Sequence, residues 1–184
     1  MSGMTHAKVP LLGFAAFSGT GKTTLLSLLI PLLKTDGLRV GLIKHAHHAF
    51  EVDTPGKDSF ELRKAGASPV MLCSSRRRVI MTDYPVARDP SLNEELLHLN
   101  QAGLDLLLVE GFKRESFPKL ELHRPSLGHP LLYPGDAEII GIATDAGLAP
   151  APPIPCLDIN QPQAIADFIL RRFLPDARRV LDLR

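Results

Sequence analysis

A glycine-rich run near the start of the chain has the residue types that bind phosphate. Residues 16–24 read Ala-Phe-Ser-Gly-Thr-Gly-Lys-Thr-Thr and depart from the pattern G-x-x-x-x-G-K-[ST] only in having alanine for the first glycine. The glycines let backbone N–H groups approach phosphate oxygens, and Lys22 adds a positive charge that can reach the β- and γ-phosphates. The hydroxyl of Thr23 is a ligand for the Mg²⁺ ion that bridges these phosphates. The run therefore predicts a P-loop that binds a nucleoside triphosphate.

The sequence on either side of this run has the order that a P-loop requires. An apolar segment precedes it at residues 9–15, and the apolar segment 25–30 follows it. A buried strand, a tight glycine turn and a helix are thus expected in succession. The candidate nucleotide-binding residues of the run are Ser18, Gly19, Thr20, Gly21, Lys22, Thr23 and Thr24.

Two acidic residues are candidates for metal binding and catalysis. Glu110 follows 104–109, the most strongly apolar segment, and an acid at the end of such a strand holds Mg²⁺ directly or through water in P-loop proteins. Because Glu reaches about one methylene further than Asp, Glu110 could instead polarise the attacking water. Asp53 lies in the loop after a second predicted strand, where it could approach the same ion or water. The candidate catalytic residues are Lys22, Asp53 and Glu110, and the candidate metal-binding residues are Thr23, Asp53 and Glu110.

Three histidines, His45, His47 and His48, follow the second predicted strand closely. Neutral imidazole is a common ligand of transition metals, so this cluster could bind nickel or zinc. Alternatively, the histidines line a nucleotide-binding or partner-binding surface without metal. The lack of a thiolate or further histidine cluster to complete a site favours the second interpretation, and both remain open.

Asp145 is a candidate for recognition of the base, because it follows a strand predicted at residues 138–143. Guanine presents N1–H and N2–H₂ donors, and a carboxylate can accept from both. Aspartate at the end of a strand is also a common turn residue, so this signal is weak by itself. Basic residues that could contact phosphates or form a solvated surface are Lys57, Arg63, Arg76, Arg77, Arg78, Lys113 and Arg114.

Composition limits the classes to which the chain can belong. The 184 residues suffice for one domain, which we expect to span residues 1–184 with a flexible segment at 1–8. A formal net charge of +1 gives no reason to expect nucleic-acid binding, and no segment resembles a signal peptide or a membrane span. Two distant cysteines, Cys73 and Cys156, are typical of a reducing compartment. We therefore expect a cytoplasmic protein.

Strand and helix signals alternate along the chain, which predicts an α/β fold with a mostly parallel sheet flanked by helices. Strands are predicted at 9–15, 38–43, 69–73, 79–82, 104–109, 119–123 and 138–143. Helices are predicted at 22–34, 58–65 (capped by Asp58), 91–101 and 161–173. Ligands of such sheets bind at the carboxyl ends of the strands, where the P-loop, the histidine-rich loop, Glu110 and Asp145 all lie.

These segments together resemble the MobB family, molybdopterin-guanine dinucleotide biosynthesis protein B, of P-loop NTPase fold. The most specific elements are Gly56-Lys57-Asp58-Ser59 and Val109-Glu110-Gly111-Phe112-Lys113 at their spacing from the P-loop. The resemblance is carried by residues 17–25, 42–45, 47–48, 53, 55–59, 62–67, 107–113 and 157–160.

The resemblance implies a homodimeric protein that binds GTP and Mg²⁺ and has weak GTPase activity. Such a protein assists the guanylyltransferase MobA in attaching GMP to molybdopterin, which is itself a candidate ligand. By this resemblance Lys22 binds phosphate, Thr23 binds Mg²⁺, and Asp53 and Glu110 serve the metal and the water. Because no arginine finger can be assigned, we expect hydrolysis below about one turnover per second.

Two other functions are compatible with a P-loop. A small-molecule kinase would use Asp53 as the base for a substrate hydroxyl, although residues 76–88 make a poor arginine-rich lid. A metal-delivery GTPase would carry nickel or zinc on His45, His47 and His48. Hydroxyl-dependent consumption of triphosphate would identify the first, and stoichiometric metal binding the second.

Overall fold

A parallel six-stranded β-sheet forms the centre of the larger of the two compact units of this chain. The structure is a computed structural model that describes residues 4–46 and 50–182. This unit comprises Met1–His45 and Ser91–Arg184. Its strands are β1 Leu11–Ala16, β2 Val40–Lys44, β5 Leu106–Glu110, β6 Lys119–His123, β7 Ile139–Thr144 and β8 Cys156–Asp158. They lie in the order β2–β5–β1–β6–β7–β8, and every neighbouring pair is parallel. The predicted α/β class is confirmed.

Helices of this unit pack on the sheet through leucine-rich and aromatic faces. The helices are α1 Lys22–Thr35, α3 Leu92–His98, α4 Pro162–Phe168 and α5 Leu174–Asp182. Leu25, Leu26, Leu29 and Leu33 of α1 are buried, and they join one core cluster with residues of β1, β6, α4 and α5. A second cluster contains Leu92 and Leu96 of α3. In the described part of the chain, no helix has both the length and the apolar character needed to span a membrane.

The final helix extends beyond its predicted end at Phe173. A π-helical turn, Ile169–Phe173, connects α4 to α5, so that helical structure continues to Asp182. Pro175 lies just beyond the predicted end, and proline inside a helix removes an N–H donor. It occupies the second residue of α5, directly after the π turn, and the helix continues past it.

The smaller unit, Ala46–Pro90, contains one short helix and one hairpin. Helix α2 spans Asp58–Lys64, with Lys57 rather than the predicted Asp58 at its N-cap position. Strands β3, Val70–Cys73, and β4, Arg78–Met81, pair antiparallel in a sheet of their own. The basic run Arg76-Arg77-Arg78 therefore lies in the hairpin turn and at the start of β4.

An irregular connection between β6 and β7 takes the place of a crossover helix and contains two 3₁₀ turns, Pro125–Leu127 and Tyr133–Gly135. It is held by a charged residue of β6 that is almost completely buried. Glu121 is 1% exposed, and its two carboxylate oxygens accept the backbone N–H groups of Leu132 and Tyr133, each at 2.8 Å. Buried carboxylates are tolerated where such bonds satisfy them.

We expect Glu121→Ala to lower the free energy of unfolding by about 2–4 kcal/mol, because two partly buried N–H groups lose their acceptor. Chemical denaturation of the purified variant measures this change. Asp176→Ala is the control, since Asp176 forms an exposed ion pair with Arg179 and should change stability by less than about 1 kcal/mol. Equal stabilities of the two variants would contradict the structural role of Glu121.

Candidate functional site

The carboxyl ends of the six parallel strands lie along one edge of the sheet, where the sequence predicted a binding site. Strand β1 is central and leads into the glycine-rich run, and β2 and β5 on one side end at Lys44 and Glu110. On the other side β6 ends at His123 and β7 at Thr144. The parallel pairing thus brings the P-loop, Glu110 and Asp145 to the same edge, as the sequence predicted.

The glycine-rich run forms a tight loop between β1 and α1. Gly19 and Gly21 have φ angles of 80° and 92°, which favour glycine because a side chain is strained in this region. The Thr20 hydroxyl donates to the carbonyl of Phe17 at 2.8 Å, and Thr20 is almost fully buried. The structure therefore holds the loop from within by Thr20, while Ser18, Gly19, Thr23 and Thr24 are exposed.

Glu110 lies beside the loop and pairs with two lysines. Its Oε1 atom is 3.4 Å from Nζ of Lys22 and 3.3 Å from Nζ of Lys44. The Glu110 side chain is only 12% exposed, so it interacts with these amines in a partly desolvated setting. Register explains the cluster, because Lys44 of β2 is paired with Glu110 of β5, which is paired with Phe14 of β1.

A third lysine increases the positive charge of this edge. Partial burial and the nearby charge of Lys22 lower the pKa of Lys113 below its ordinary value. Its Nζ atom lies 5.6 Å from the ring centroid of Phe17. The Phe17 ring also stacks on the ring of His129, with 4.4 Å between the two centroids. Lys22 and Lys44 on one carboxylate, with Lys113 close enough to Lys22 for their charges to interact, leave a local excess of positive charge. An anion bound here would offset the burial and the repulsion from Lys22 that together lower the pKa of Lys113.

The turn after Glu110 determines where His45 lies. Gly111 has a φ angle of 92°, and a Cβ atom added there would lie 2.7 Å from Cβ of His45. The backbone N–H of His45 donates to the carbonyl of Glu110 at 2.8 Å, and its ring stacks on Phe112 at 4.9 Å. His45 thus packs against this turn. His47 and His48, the other members of the predicted cluster, lie outside the described residues.

Asp53 belongs to the smaller unit, where its carboxylate contacts its own loop. Its Oδ1 atom accepts the backbone N–H of Thr54 and the hydroxyl of Ser59, each at 2.9 Å. Its Oδ2 atom is buried and has no hydrogen-bond partner among the described residues. The assignment of Asp53 to a metal or to water remains a prediction. Arg63 of the same unit pairs with Glu51 and Asp83.

Sequence reasoning missed Arg124, whose guanidinium joins three segments at this edge. Its Nε atom donates to the carbonyl of Thr20 at 3.0 Å, and its Nη1 atom donates to Oδ2 of Asp145. Its Nη2 atom donates to Oδ1 of Asn160 at 3.3 Å. Arg124 directly follows β6, so the rule that selected Asp145 at a strand end could also have selected it.

Comparison with known proteins agrees with this geometry. The family model for "MobB: Molybdopterin guanine dinucleotide synthesis protein B" matches residues 11–145, from the start of β1 to Asp145. The chain is 46% identical over 171 residues to the molybdopterin-guanine dinucleotide biosynthesis adapter protein of Escherichia coli K12, covering 92% of this chain and 95% of that protein. It is 43% identical over 162 residues to the adapter protein of Haemophilus influenzae, covering 88% of each.

Solved structures support the same fold. A crystal structure titled molybdopterin-guanine biosynthesis protein B superposes with a TM-score of 0.66 at 21% identity, covering 87% of this chain and 97% of that one. Bacillus subtilis MobB gives a TM-score of 0.66 at 23% identity, covering 88% and 96%. At these identities the likeness shows the fold alone, a mostly parallel central sheet flanked by helices. The family model and the two bacterial relatives, by contrast, match most of the sequence, and the chain belongs to the MobB family.

Proposed function

We propose that this chain binds GTP with Mg²⁺ at the P-loop edge of its sheet and acts as an adapter in the biosynthesis of molybdopterin guanine dinucleotide. The single observation that carries the proposal is the pairing of Lys22 and Lys44 with Glu110, with Lys113 close to Lys22, directly beside an open glycine loop. Such a surplus of amines suits a polyphosphate. The proposed adapter role is supported by the two relatives, which are named molybdopterin-guanine dinucleotide biosynthesis adapter proteins.

The triphosphate would be held by the P-loop backbone and by exchange of ion-pair partners. Lys22 and Lys44 share one oxygen of Glu110, so each amine can transfer to a phosphate oxygen without leaving an uncompensated charge. The exposed Thr23 hydroxyl and the released carboxylate of Glu110 fit a hard cation that prefers oxygen ligands. Mg²⁺ held there would neutralise charge on the β- and γ-phosphates. Asp53 remains a further candidate for the same ion.

Guanine would be recognised by Asp145, at the end of β7. Because β6 separates β1 from β7, Asp145 lies about two strand spacings, or about 10 Å, across the sheet from the P-loop strand. A nucleoside attached to phosphates at β1 can cover that distance. Its N1–H and N2–H₂ groups would then face a carboxylate that is 24% exposed.

Hydrolysis should be slow, which suits an adapter better than an enzyme that works by turnover. The cations described beside Glu110 are lysines, and Arg124, an arginine at this edge, is bound to the carbonyl of Thr20 and to Asp145. The planar fork of a free arginine is what accelerates phosphoryl transfer in related reactions. We therefore propose a slow Mg²⁺-dependent GTPase whose partner, the guanylyltransferase MobA, performs the transfer of GMP, with molybdopterin as a candidate ligand.

The smaller unit supports a homodimer. Met71 and Ile80 are paired across the β3–β4 hairpin and are 53% and 52% exposed, so one face of this two-stranded sheet presents apolar side chains. Isolated hairpins are marginally stable in water, so a covering partner would stabilise this one. Other exposed apolar residues of the unit are Phe50, Val52, Leu62, Leu72 and Val86.

We also propose a cytoplasmic location, because Cys73 and Cys156 are exposed free thiols.

The two alternative functions receive less support. The matching family model and both bacterial relatives belong to molybdopterin guanine dinucleotide biosynthesis, whereas neither a kinase nor a metal-delivery GTPase is among the matches reported above. Among the described residues, no three histidine, cysteine or acidic side chains are grouped closely enough to hold a metal ion. His47 and His48 lie outside those residues, and equilibrium dialysis against nickel or zinc tests whether the histidine loop binds metal.

Lys22→Ala should weaken binding of Mg²⁺–GTP at least 100-fold, because the amine that contacts the β- and γ-phosphates is lost. Isothermal titration of GTP and ATP measures affinity and base preference together. Lys34→Ala, in the last turn of the same helix, is the matched control and should bind like the wild type. Unchanged affinity of Lys22→Ala would exclude the P-loop assignment, and preference for ATP would favour the kinase.

Addition of the purified chain should increase formation of molybdopterin guanine dinucleotide by purified guanylyltransferase supplied with GTP, Mg²⁺ and molybdopterin. An adapter acts through its partner, so the chain without the transferase should yield no dinucleotide. Product is quantified by chromatography, with Lys22→Ala as the variant expected to lose stimulation and Lys34→Ala as its control. An unchanged yield with the wild-type chain would contradict the adapter function.

Ile80→Asp should shift the chain from dimer to monomer, because a carboxylate at the exposed hairpin face opposes burial against a second copy. Sedimentation velocity over a concentration series measures the oligomeric state. Leu97→Asp is the control, since Leu97 is a 62% exposed leucine of α3 in the larger unit. A dimer that persists in Ile80→Asp, or a monomeric wild type, would argue against this interface.

A further inference from the structure

Arg124 forms the contact between the P-loop and the predicted base-recognition carboxylate. Its three hydrogen bonds go to a carbonyl in the P-loop, to a carboxylate after β7 and to an amide oxygen after β8. Arg124 itself follows β6, the strand between β1 and β7. One planar guanidinium therefore connects the ends of four neighbouring strands.

The geometry uses properties that only arginine has. A guanidinium directs five N–H donors along fixed directions in one plane, whereas a lysine amine is a single flexible point. Here separate nitrogens, Nε, Nη1 and Nη2, serve the carbonyl of Thr20, the carboxylate of Asp145 and the side chain of Asn160. The Arg124 side chain is 29% exposed and that of Asp145 is 24% exposed, so this pair is more shielded from water than a fully exposed surface pair.

We propose that Arg124 is a positioning residue for guanine selection, which fixes the Asp145 carboxylate relative to the P-loop through the Thr20 carbonyl. This inference rests on the proposed function and adds a determinant of specificity to it. Occupation of Oδ2 by Arg124 restricts rotation of the carboxylate, so Oδ1 and the remaining lone pair of Oδ2 face a defined direction. Without that restraint the carboxylate can rotate, and the hydrogen bond that distinguishes guanine from a base lacking the 2-amino group weakens.

The test compares three ligands on the full chain: GTP, ITP and inorganic tripolyphosphate, each with Mg²⁺. ITP lacks only the 2-amino group of guanine, so the ratio of GTP to ITP affinity reports base recognition. Tripolyphosphate reports the P-loop alone. The wild type should prefer GTP over ITP at least tenfold, in line with a hydrogen bond to a charged group. Arg124→Gln should reduce this ratio to within about threefold of one and change tripolyphosphate affinity less than about threefold.

Arg39→Gln is the matched control. Arg39 also pairs with an aspartate, Asp105, through its Nε atom at 3.1 Å, but this pair precedes β2 and β5 at the opposite edge of the sheet. Arg39→Gln should therefore leave both the GTP-to-ITP affinity ratio and the tripolyphosphate affinity unchanged. Arg124→Lys keeps the charge but replaces three directed donor nitrogens with one, so it should lose most of the GTP-to-ITP ratio as well. It serves as the second variant if Arg124→Gln does not fold, which thermal melting would reveal.

Several results would overturn the inference. Equal losses of GTP, ITP and tripolyphosphate affinity in the Arg124 variants would mean that Arg124 only supports the P-loop. A full GTP-to-ITP ratio in Arg124→Gln or in Arg124→Lys would mean that the directed bonds are not needed. A wild type that does not distinguish GTP from ITP removes the guanine recognition that Arg124 would serve, and that failure is visible without any variant.

Discussion

Parallel pairing of β1 with β5 on one side and β6 on the other is the constraint on which the rest of this structure depends. Parallel strands end at the same edge of a sheet, so the segments that follow β1, β5 and β6 meet there. Those segments contain the P-loop, the turn after Glu110 and Arg124, which come from widely separated parts of the chain. Register then sets the finer geometry, since Lys44 and Glu110 are direct partners across β2 and β5.

The charge distribution at this edge follows from that register. Two lysines share one oxygen of Glu110, and Lys113 adds a third amine whose pKa is lowered by burial and by Lys22. Such an arrangement holds positive charge in place at the cost of mutual repulsion, which a bound polyanion would relieve. The buried Glu121 on β6 serves a different purpose, because it holds the irregular connection that carries His129 toward Phe17. The structural carboxylate of Glu121 and the candidate functional carboxylate of Glu110 thus lie on the two strands that flank β1.

The two units of the chain differ in how they satisfy their apolar residues. The larger unit buries leucine-rich faces of α1 and β5 in its own core clusters. In the smaller unit, by contrast, α2 has no buried residue, and paired residues of its hairpin remain more than half exposed. A hairpin of this kind gains stability from a covering surface, which is why the proposed homodimer is assigned to it. The proposed dimer interface and the candidate nucleotide site thereby belong to different units.

The sequence by itself determined the fold class, the approximate limits of most elements and the glycine-rich turn between β1 and α1. Alternating apolar segments and glycine turns are local signals, and Gly19, Gly21 and Lys22 lie next to one another in the chain. The sequence also resembled the MobB family through short motifs, and the family match over residues 11–145 confirms that resemblance. The prediction for the last helix was wrong in its end point, because apolar residues beyond Phe173, including Leu174, pack on the core and the helix continues through Pro175.

Only the tertiary structure decided which distant residues meet at the edge of the sheet. Lys44 and Glu110 are far apart in sequence, and their contact depends on the order β2–β5–β1, which no local pattern specifies. Arg124 is a still clearer case, because its position after a strand could place it at this edge but could not predict which groups its guanidinium contacts. Its importance depends on the fact that β6 lies between β1 and β7, so that one guanidinium reaches both Thr20 and Asp145. Strand order is set by packing of the whole sheet. Long-range contacts, rather than local sequence patterns, therefore bring these residues together at one edge.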